Sequence, residues 1–236
     1  IYDGCRLSDA ETIRFRHNSP EDLAKRLARL PEEGSRLVVV EGLYSMLGDV
    51  APLDEFVAVA REHGALLYVD EAHSVGCYGE RGRGIAQAQG VLDQIDFLSG
   101  TFSKSFASIG GFCVSRHPEF DYTRFASRAY LFTASGSPSN MAAARAALRQ
   151  IETGVDLGKI LWDRAHQLHA GLIAAGFEPA SGPGPIIAVP RPDEMTAVRE
   201  WNQLMDAGIY VNLAVPPATP HAKSLLRLSV SAAHSE

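Results

Sequence analysis

Two apolar runs set the frame: Leu37-Val38-Val39-Val40-Glu41 and, further on, Ala65-Leu66-Leu67-Tyr68-Val69. Short β-branched runs of this kind suit strands buried on both faces. Between them, Leu53 to His63 fits a helix with Phe56, Val57, Val59 and Ala60 on one side and Gly64 as its terminator. Strand, helix, strand is a crossover unit, so the expected fold is α/β, a mostly parallel sheet with helices on both faces. In such a sheet ligands bind beyond the carboxyl ends of the strands. The residues that follow Val40 and Val69 are therefore the first place to look for chemistry.

Past Val69 comes a glycine-rich stretch (Gly76, Gly79, Gly82, Gly84), then a short helix over Ala86 to Gln89 and a third apolar run, Ile95 to Leu98. Gly110 to Ser115 reads as a hairpin-like neighbour of that strand. Helices are expected over Pro138 to Glu152 and Leu157 to Ala175, the second leaving the sheet domain. From Gly176 the texture changes to a Pro- and Gly-rich loop (Pro179 to Pro185), strand Ile186 to Val189 and a helix near Glu194 to Ala207. Strand Ile209 to Ala214, a turn at Pro216 to Pro220 and strand Leu225 to Ser231 complete it. With 236 residues, 46% of them hydrophobic, the chain has room for a large domain over 1–156. A linking helix and a small C-terminal α+β domain would occupy 157–236.

The formal net charge of −6, with charges mixed along the chain, lacks the clustered Lys and Arg that a nucleic-acid footprint needs. Cys5, Cys77 and Cys113 are too few and too scattered for a disulfide framework or a zinc site, so buried free thiols and a reducing cytoplasm are expected. No apolar stretch approaches the roughly 20 residues of a membrane helix. The chain opens at Ile1 without a methionine, and that start reads as a cut.

Asp70 ends the run Leu66 to Val69, and Lys104 lies just past a later run, in Gly100-Thr101-Phe102-Ser103-Lys104. A carboxylate at the end of an apolar strand is costly to bury without a cationic partner. A lysine desolvated nearby, next to a cationic ring, has a lowered pKa and can serve as nucleophile and then as base. An amine for a Schiff base and an anion that keeps a pyridine nitrogen protonated are what pyridoxal phosphate requires. Thr101, Ser103 and Ser105 offer hydroxyls to a phosphate, and His73 could hydrogen-bond a phenolate oxygen. The plain alternatives are a solvated lysine in a serine-rich loop and a structural histidine. Arg227, a charge inside Leu225-Leu226-Arg227-Leu228, suits a substrate carboxylate held bidentately, and equally an internal ion pair or an outward-facing position. His17, His63, His117, His166, His169, His221 and His234 show no ligand spacing, and no metal site is expected. A rival reading takes Val69-Asp70-Glu71-Ala72-His73 as the metal-binding strand of a nucleotide-driven helicase. That machinery needs a phosphate-cradling Gly-Lys-Ser/Thr loop, which this chain lacks.

In this order, Glu41-Gly42-Leu43-Tyr44-Ser45-Met46, Gly48-Asp49 with Ala51-Pro52-Leu53, Val69 to Gly76, Thr101 to Lys104 and Gly110-Gly111-Phe112 resemble the α-oxoamine synthases. These are the acyl-CoA-condensing branch of the fold-type I pyridoxal phosphate enzymes, and the resemblance extends over nearly the whole chain. Tyr210-Val211-Asn212, Pro216 to Pro220, Leu225-Leu226-Arg227 and Thr101 to Ser105 are most similar to its serine-using bacterial members. The resemblance implies that Lys104 carries the cofactor, Asp70 pairs with its pyridinium nitrogen and His73 bonds the ring O3′. Ser45 would support the same side of the ring, Thr101 and Ser103 would hold the phosphate, and Arg227 would take the amino-acid carboxylate. Thr133 and Ala134 match a segment that in the family reaches the phosphate of a neighbouring subunit, which implies a homodimer with shared sites.

The implied reaction condenses an amino acid, L-serine first, with a long-chain acyl-CoA, losing CO2 to give a 3-keto amino alcohol, the first step of sphingolipid synthesis. Lys104 would remove the Cα proton, and Lys104 or His73 would manage later protons. Contact with lipid would be peripheral. Alanine or glycine as the amino acid is one alternative, and a non-catalytic fragment or partner subunit is another. Two departures stand out. Val215 stands where the resemblance to the serine-using members leads one to expect an arginine, just before the Pro216 to Pro220 turn. The chain also opens well into the large domain, past the family's glycine-containing phosphate turn and the ring that stacks on the cofactor.

Overall fold

The structure, a computed structural model, describes residues 1–219 and 222–236. Pro220, the end of the expected proline-rich turn, and His221 lie outside the described residues. Two helices not expected from the sequence precede the first strand, α1 (Tyr2–Leu7) and α2 (Pro20–Leu27). The second has a local cause: the Ser19 hydroxyl accepts the Asp22 N–H at 3.2 Å, Pro20 opens the first turn, and Glu21 and Asp22 face the helix dipole. Its Leu23 and Leu27 turn inward.

The expected crossover unit follows as β1 (Leu37–Glu41), α3 (Leu53–Glu62) and β2 (Leu66–Asp70), with Gly64 just past the helix end. After α4 (Ile85–Ala88), β3 (Phe97–Thr101) joins β2 in parallel, and β4 (Gly111–Ser115) adds antiparallel to β3. The sheet order is β1-β2-β3-β4. The third strand begins at Phe97 rather than Ile95 because the Asp96 carboxylate accepts the Leu67 N–H at 2.7 Å and anchors the entry. Short helices α5 (Thr123–Ala126) and α6 (Arg128–Leu131) lead to the long α7 (Pro138–Thr153) and α8 (Leu157–Ala174).

A second sheet, order β5-β7-β6 and wholly antiparallel, is built from β5 (Ile186–Arg191), β6 (Asn212–Ala214) and β7 (Ser224–Ser229), with α9 (Glu194–Asp206) between the first two strands. Leu161 and Ala165 of α8 pack here against Ile187 and Val230. β6 is shorter than the expected strand over 209–214. Gly208 adopts φ +78°, and the Ile209 N–H returns to the Leu204 carbonyl at 2.8 Å, so Ile209 and Tyr210 finish the helix as exposed turn residues. β7 likewise stops at Ser229, after which the Val230 N–H turns to the Pro185 carbonyl.

Alternation divides the larger sheet into two chemically different faces. Val38, Val40, Leu67 and Val69 are buried in one cluster with Leu23, Leu27, Phe56 and Val57 of α2 and α3. The opposite face carries Val39, Glu41, Tyr68, Asp70 and Ser99, all half-buried. Cys5 and Cys77 are half-buried and Cys113 is exposed, all three free, so the expectation of enclosed thiols is corrected. Cys113 sits on β4, whose outer edge has no further strand among the described residues.

At the end of β2 the chain buries a charge completely. Glu71 has 0% exposure, and its carboxylate accepts the backbone N–H of Ala86 at 2.7 Å, that of Ile85 at 3.0 Å, and the Ser74 hydroxyl. A Cβ on Gly42 would stand 2.7 Å from this carboxylate and one on Gly84, which holds φ +100°, 2.8 Å from it, so glycine is needed at both. Glu71→Ala would strand two buried N–H donors and a hydroxyl. It should lower the unfolding free energy by about 2–4 kcal/mol, read from urea denaturation midpoints, whereas a loss below about 0.5 kcal/mol would refute this role.

Candidate active site

The parallel strands deliver their last side chains side by side. Glu41 pairs in register with Asp70, and Asp70 with Ser99. Because side chains alternate, Glu41, Asp70, Ser99 and Thr101 share the half-buried face while Glu71 turns into the core. Asp70 is half-buried rather than enclosed, and its Oδ1 accepts the Ala72 N–H at 2.9 Å, which begins the turn toward His73. The enclosed carboxylate is its neighbour Glu71. With no exposure and with two N–H groups and a hydroxyl bonded to it, Glu71 serves the core rather than a ligand, which counts against the helicase reading.

Lys104 lies in the exposed turn between β3 and β4. That turn is held at its base by Phe102 N–H to the Gly110 carbonyl (2.9 Å) and Ser108 N–H to the Phe102 carbonyl (2.7 Å). Thr101 and Ser103 meet within it, their hydroxyl oxygens 2.8 Å apart, and the Thr101 hydroxyl donates to the Gly110 carbonyl at 3.1 Å. Ser105 donates to the Val75 carbonyl at 2.7 Å, so the lysine turn is fastened to the loop that carries His73.

Charge in this corner is closely matched. Partial desolvation lowers the Lys104 pKa, the Asp70 and Glu41 carboxylates oppose that shift, and the Arg227 guanidinium adds to it. Burial, then Lys104 and Arg227, push His73 down to about 4. Burial and the neighbouring Asp70 carboxylate raise Glu41. Tyr44, in the loop after β1, is pushed up to about 12 by burial and then by Glu41 and Asp49. Asp70, His73, Lys104 and Arg227, singled out separately from the sequence, thus fall within one electrostatic neighbourhood, with Glu41 as a fifth member. Its signal was available, since Glu41 ends β1 as Asp70 ends β2.

Arg227 reaches this corner from the second sheet. It is half-buried on β7, its Nε donates to the Ser45 carbonyl at 2.6 Å and its Nη1 to the Ser229 hydroxyl at 3.0 Å. Burial lowers its pKa, and it takes part in no ion pair among the described residues. Ser45 therefore meets the site through its backbone carbonyl. Thr133 and Ala134 lie on the exposed segment between α6 and α7, where Thr133 accepts the Ser135 N–H at 3.1 Å. No hydrogen bond among the described residues ties that segment to the Lys104 corner. His17 and His117 are structural, bonded to Asp49 at 2.6 Å and Asp96 at 2.8 Å. Among the described residues no helix is long and apolar enough to cross a membrane, and no group of three or more His, Cys, Asp or Glu is gathered as a metal set.

The chain is 55% identical over 237 residues to the serine palmitoyltransferase of Caulobacter vibrioides, covering all of this chain and 59% of that protein. It is 38% identical over 235 residues to a putative 8-amino-7-oxononanoate synthase of Acetivibrio thermocellus, covering all of this chain and 60% of that one. Its structure superposes with a TM-score of 0.96 and 52% identity on a variant serine palmitoyltransferase from S. paucimobilis with a bound PLP–myriocin aldimine, over 99% of this chain and 59% of that one. The chain thus spans about three-fifths of the length of the relatives it matches. Since the aminotransferase class I and II family is matched over residues 1–236, from the crossover unit through the Lys104 turn to Arg227, the chain belongs to that family.

Proposed function

We propose that the protein carrying this chain condenses L-serine with a long-chain acyl-CoA, releasing CoA and CO2 and leaving a 3-keto amino alcohol, with pyridoxal phosphate as its cofactor. The observation that carries this reading is the meeting of Lys104, Asp70 and His73 at the strand ends with a half-buried Arg227 that has no counter-ion among the described residues. The similarity to serine palmitoyltransferases over the whole chain supports the same choice. The division of the chain at 156/157 is part of this reading, supported by a buried cluster around β1–β3 and a separate one around α8 and β5.

The donor set fits the cofactor. The Asp70 carboxylate is open on the ligand side of the sheet, two hydroxyls stand together 2.8 Å apart at Thr101 and Ser103, and the amine of Lys104 is made easier to deprotonate. Asp70 would hold the ring nitrogen, His73 and Ser45 the side of the phenolic oxygen, Thr101 and Ser103 the phosphate, and Lys104 the aldehyde carbon. When bound, pyridoxal phosphate supplies an electron sink for the charge left when Cα loses a proton. Lys104, with its lowered pKa, takes that proton from Cα as general base. Arg227 binds the amino-acid carboxylate and orients Cα toward the lysine. His73, held neutral, can donate or accept a hydrogen bond without adding a further cation beside Lys104 and Arg227. Thr133 and Ala134 would serve the phosphate of a neighbouring copy, which fits their exposed segment and a homodimer with shared sites.

A reading with alanine or glycine in place of serine has one observation of its own. Val215, half-buried, opens a turn in which its carbonyl accepts the Ala218 N–H at 3.0 Å, and it brings no charge to the place where the resemblance leads one to expect arginine. The 38% identical putative 8-amino-7-oxononanoate synthase keeps that reading open to test.

With pyridoxal phosphate added, the protein should show a visible absorption band that shifts on L-serine and shifts less on L-alanine or glycine. Lys104→Ala should abolish the lysine-bound band and cut turnover at least about a thousandfold; a band that survives at another lysine would overturn the assignment. A second expectation concerns acid. The folded His73 pKa of about 4 lies below the ordinary 6.5, so between those values the unfolded chain binds the extra proton. The stability associated with the neutral ring is complete above about pH 6.5 and is lost as pH falls toward about 4. Denaturant unfolding at stepped pH should show this decline in the wild type and a shallower one in His73→Asn, and equal slopes would disprove it.

A further inference from the structure

Arg227 presents an unresolved electrostatic demand. It is a half-buried guanidinium on the central strand of the β5-β7-β6 sheet, near two other basic groups, Lys104 and His73, and it forms no ion pair among the described residues. Its strand neighbours explain how it reaches out. Ala188 stands directly opposite on β5 and leaves lateral room, while Asn212 flanks it on β6 and accepts a hydrogen bond from the Tyr210 hydroxyl at 3.3 Å. Two residues on along the same face, Ser229 is exposed and accepts from Nη1 at 3.0 Å. On the far side, the Ser45 carbonyl accepts from Nε at 2.6 Å.

A guanidinium has five N–H donors in a rigid plane, so two acceptors at different edges fix both its position and its rotation. Here Nε and one Nη1 proton are committed, and Nη2 makes no hydrogen bond among the described residues. We propose that Ser229 is a positioning residue for the amino-acid substrate: with the Ser45 carbonyl it locks Arg227 so that the carboxylate is taken end-on by Nη1 and Nη2. The side-on pair, Nε with Nη2, is closed by Ser45. The proposal rests on the reading of an amino-acid substrate given above. Because Ser229 is exposed at the strand end, its hydroxyl is dispensable for packing, and a threonine keeps the hydroxyl that Arg227 bonds.

The test is made on the intact, cofactor-loaded protein, with L-serine binding measured by calorimetry in the absence of acyl-CoA and KM and kcat measured separately. Ser229→Ala should weaken L-serine binding and raise its KM about fivefold to tenfold, leave the acyl-CoA KM within about twofold, and leave the unfolding midpoint unchanged. Ser229→Thr should restore L-serine binding. Arg227→Ala serves as the reference and should weaken L-serine about a hundredfold. If Arg227→Ala weakens serine and Ser229→Ala does not, the positioning role is overturned while the substrate reading stands. If neither variant affects serine, the substrate reading falls and the proposal with it. A Ser229→Ala effect that touches both substrates alike, or that threonine does not repair, makes the residue merely structural and also overturns the proposal.

Discussion

The Glu71 carboxylate is the interaction on which the rest of the site depends. A charge with no solvent exposure is expensive, and it is tolerated only where donors surround it. Here the donors come from the first turn of α4 and from Ser74, so one side chain fastens the end of β2 to the helix that follows the glycine-rich loop. Gly42, just past β1, allows the carboxylate to sit against that strand's end as well. Strand parity does the remainder. With Glu71 committed to the core, Asp70 must emerge on the opposite face, next to Glu41 and Ser99. A slip of one residue would bury Asp70 and turn Glu71 toward the ligand side, exchanging the places of the two carboxylates and stripping the α4 N–H groups of their acceptor.

That parity also explains what could and could not be read from the sequence. β1, α3 and β2 were legible because their apolar periods are unbroken and Gly64 punctuates the unit. α2 is less legible although Ser19-Pro20-Glu21-Asp22 is a complete start signal; its short run offers only Leu23 and Leu27 as buried positions, too few for a period to stand out. The strand expected over 209–214 lost its first half to the closure of α9, a competition between two backbone acceptors that side-chain pattern does not reveal. In the site, Lys104 and Asp70 announced themselves by following apolar runs. The different fates of Asp70 and Glu71 did not, because adjacent acids look alike until the faces of the sheet are assigned. Nor was the partner of Arg227 legible: it is a backbone carbonyl 182 residues away, and carbonyls carry no sequence signature.

Electrostatically the corner is a balance of two carboxylates, Asp70 and Glu41, against Lys104 and Arg227, with His73 neutral. Each group bears on another's protonation. Asp70 and Glu41 hold the Lys104 pKa up while desolvation brings it down, and Asp70 in turn raises Glu41. Lys104 and Arg227 together reinforce the burial that keeps His73 uncharged. On the proposed reading, a lysine that serves as both nucleophile and base profits from this arrangement, because desolvation brings its amine toward neutrality while two carboxylates stay nearby.

The two sheets meet over one loop, and this shapes how substrate choice can work. The segment after β1 is gripped from the second sheet and its approach at three successive points: Arg227 on the Ser45 carbonyl, the Ser181 hydroxyl on the Leu47 carbonyl at 2.8 Å, and Gly48 pressed against the Ile186 carbonyl, where a Cβ would stand at 2.3 Å. The groups suited to the cofactor, Asp70, His73, Thr101, Ser103 and Lys104, all end or follow strands of the first sheet, whereas the group suited to an amino-acid carboxylate rides on the second. On the proposed reading, the loop held between them sets the distance from the substrate carboxylate to the lysine, and with it the position of Cα. The side chain of the amino acid is left to whatever lines the rest of the crevice. On the proposed reading, the chemistry at Cα is common to any amino acid whose carboxylate fits the Arg227 fork, and discrimination among amino acids falls to the residues that meet the side chain.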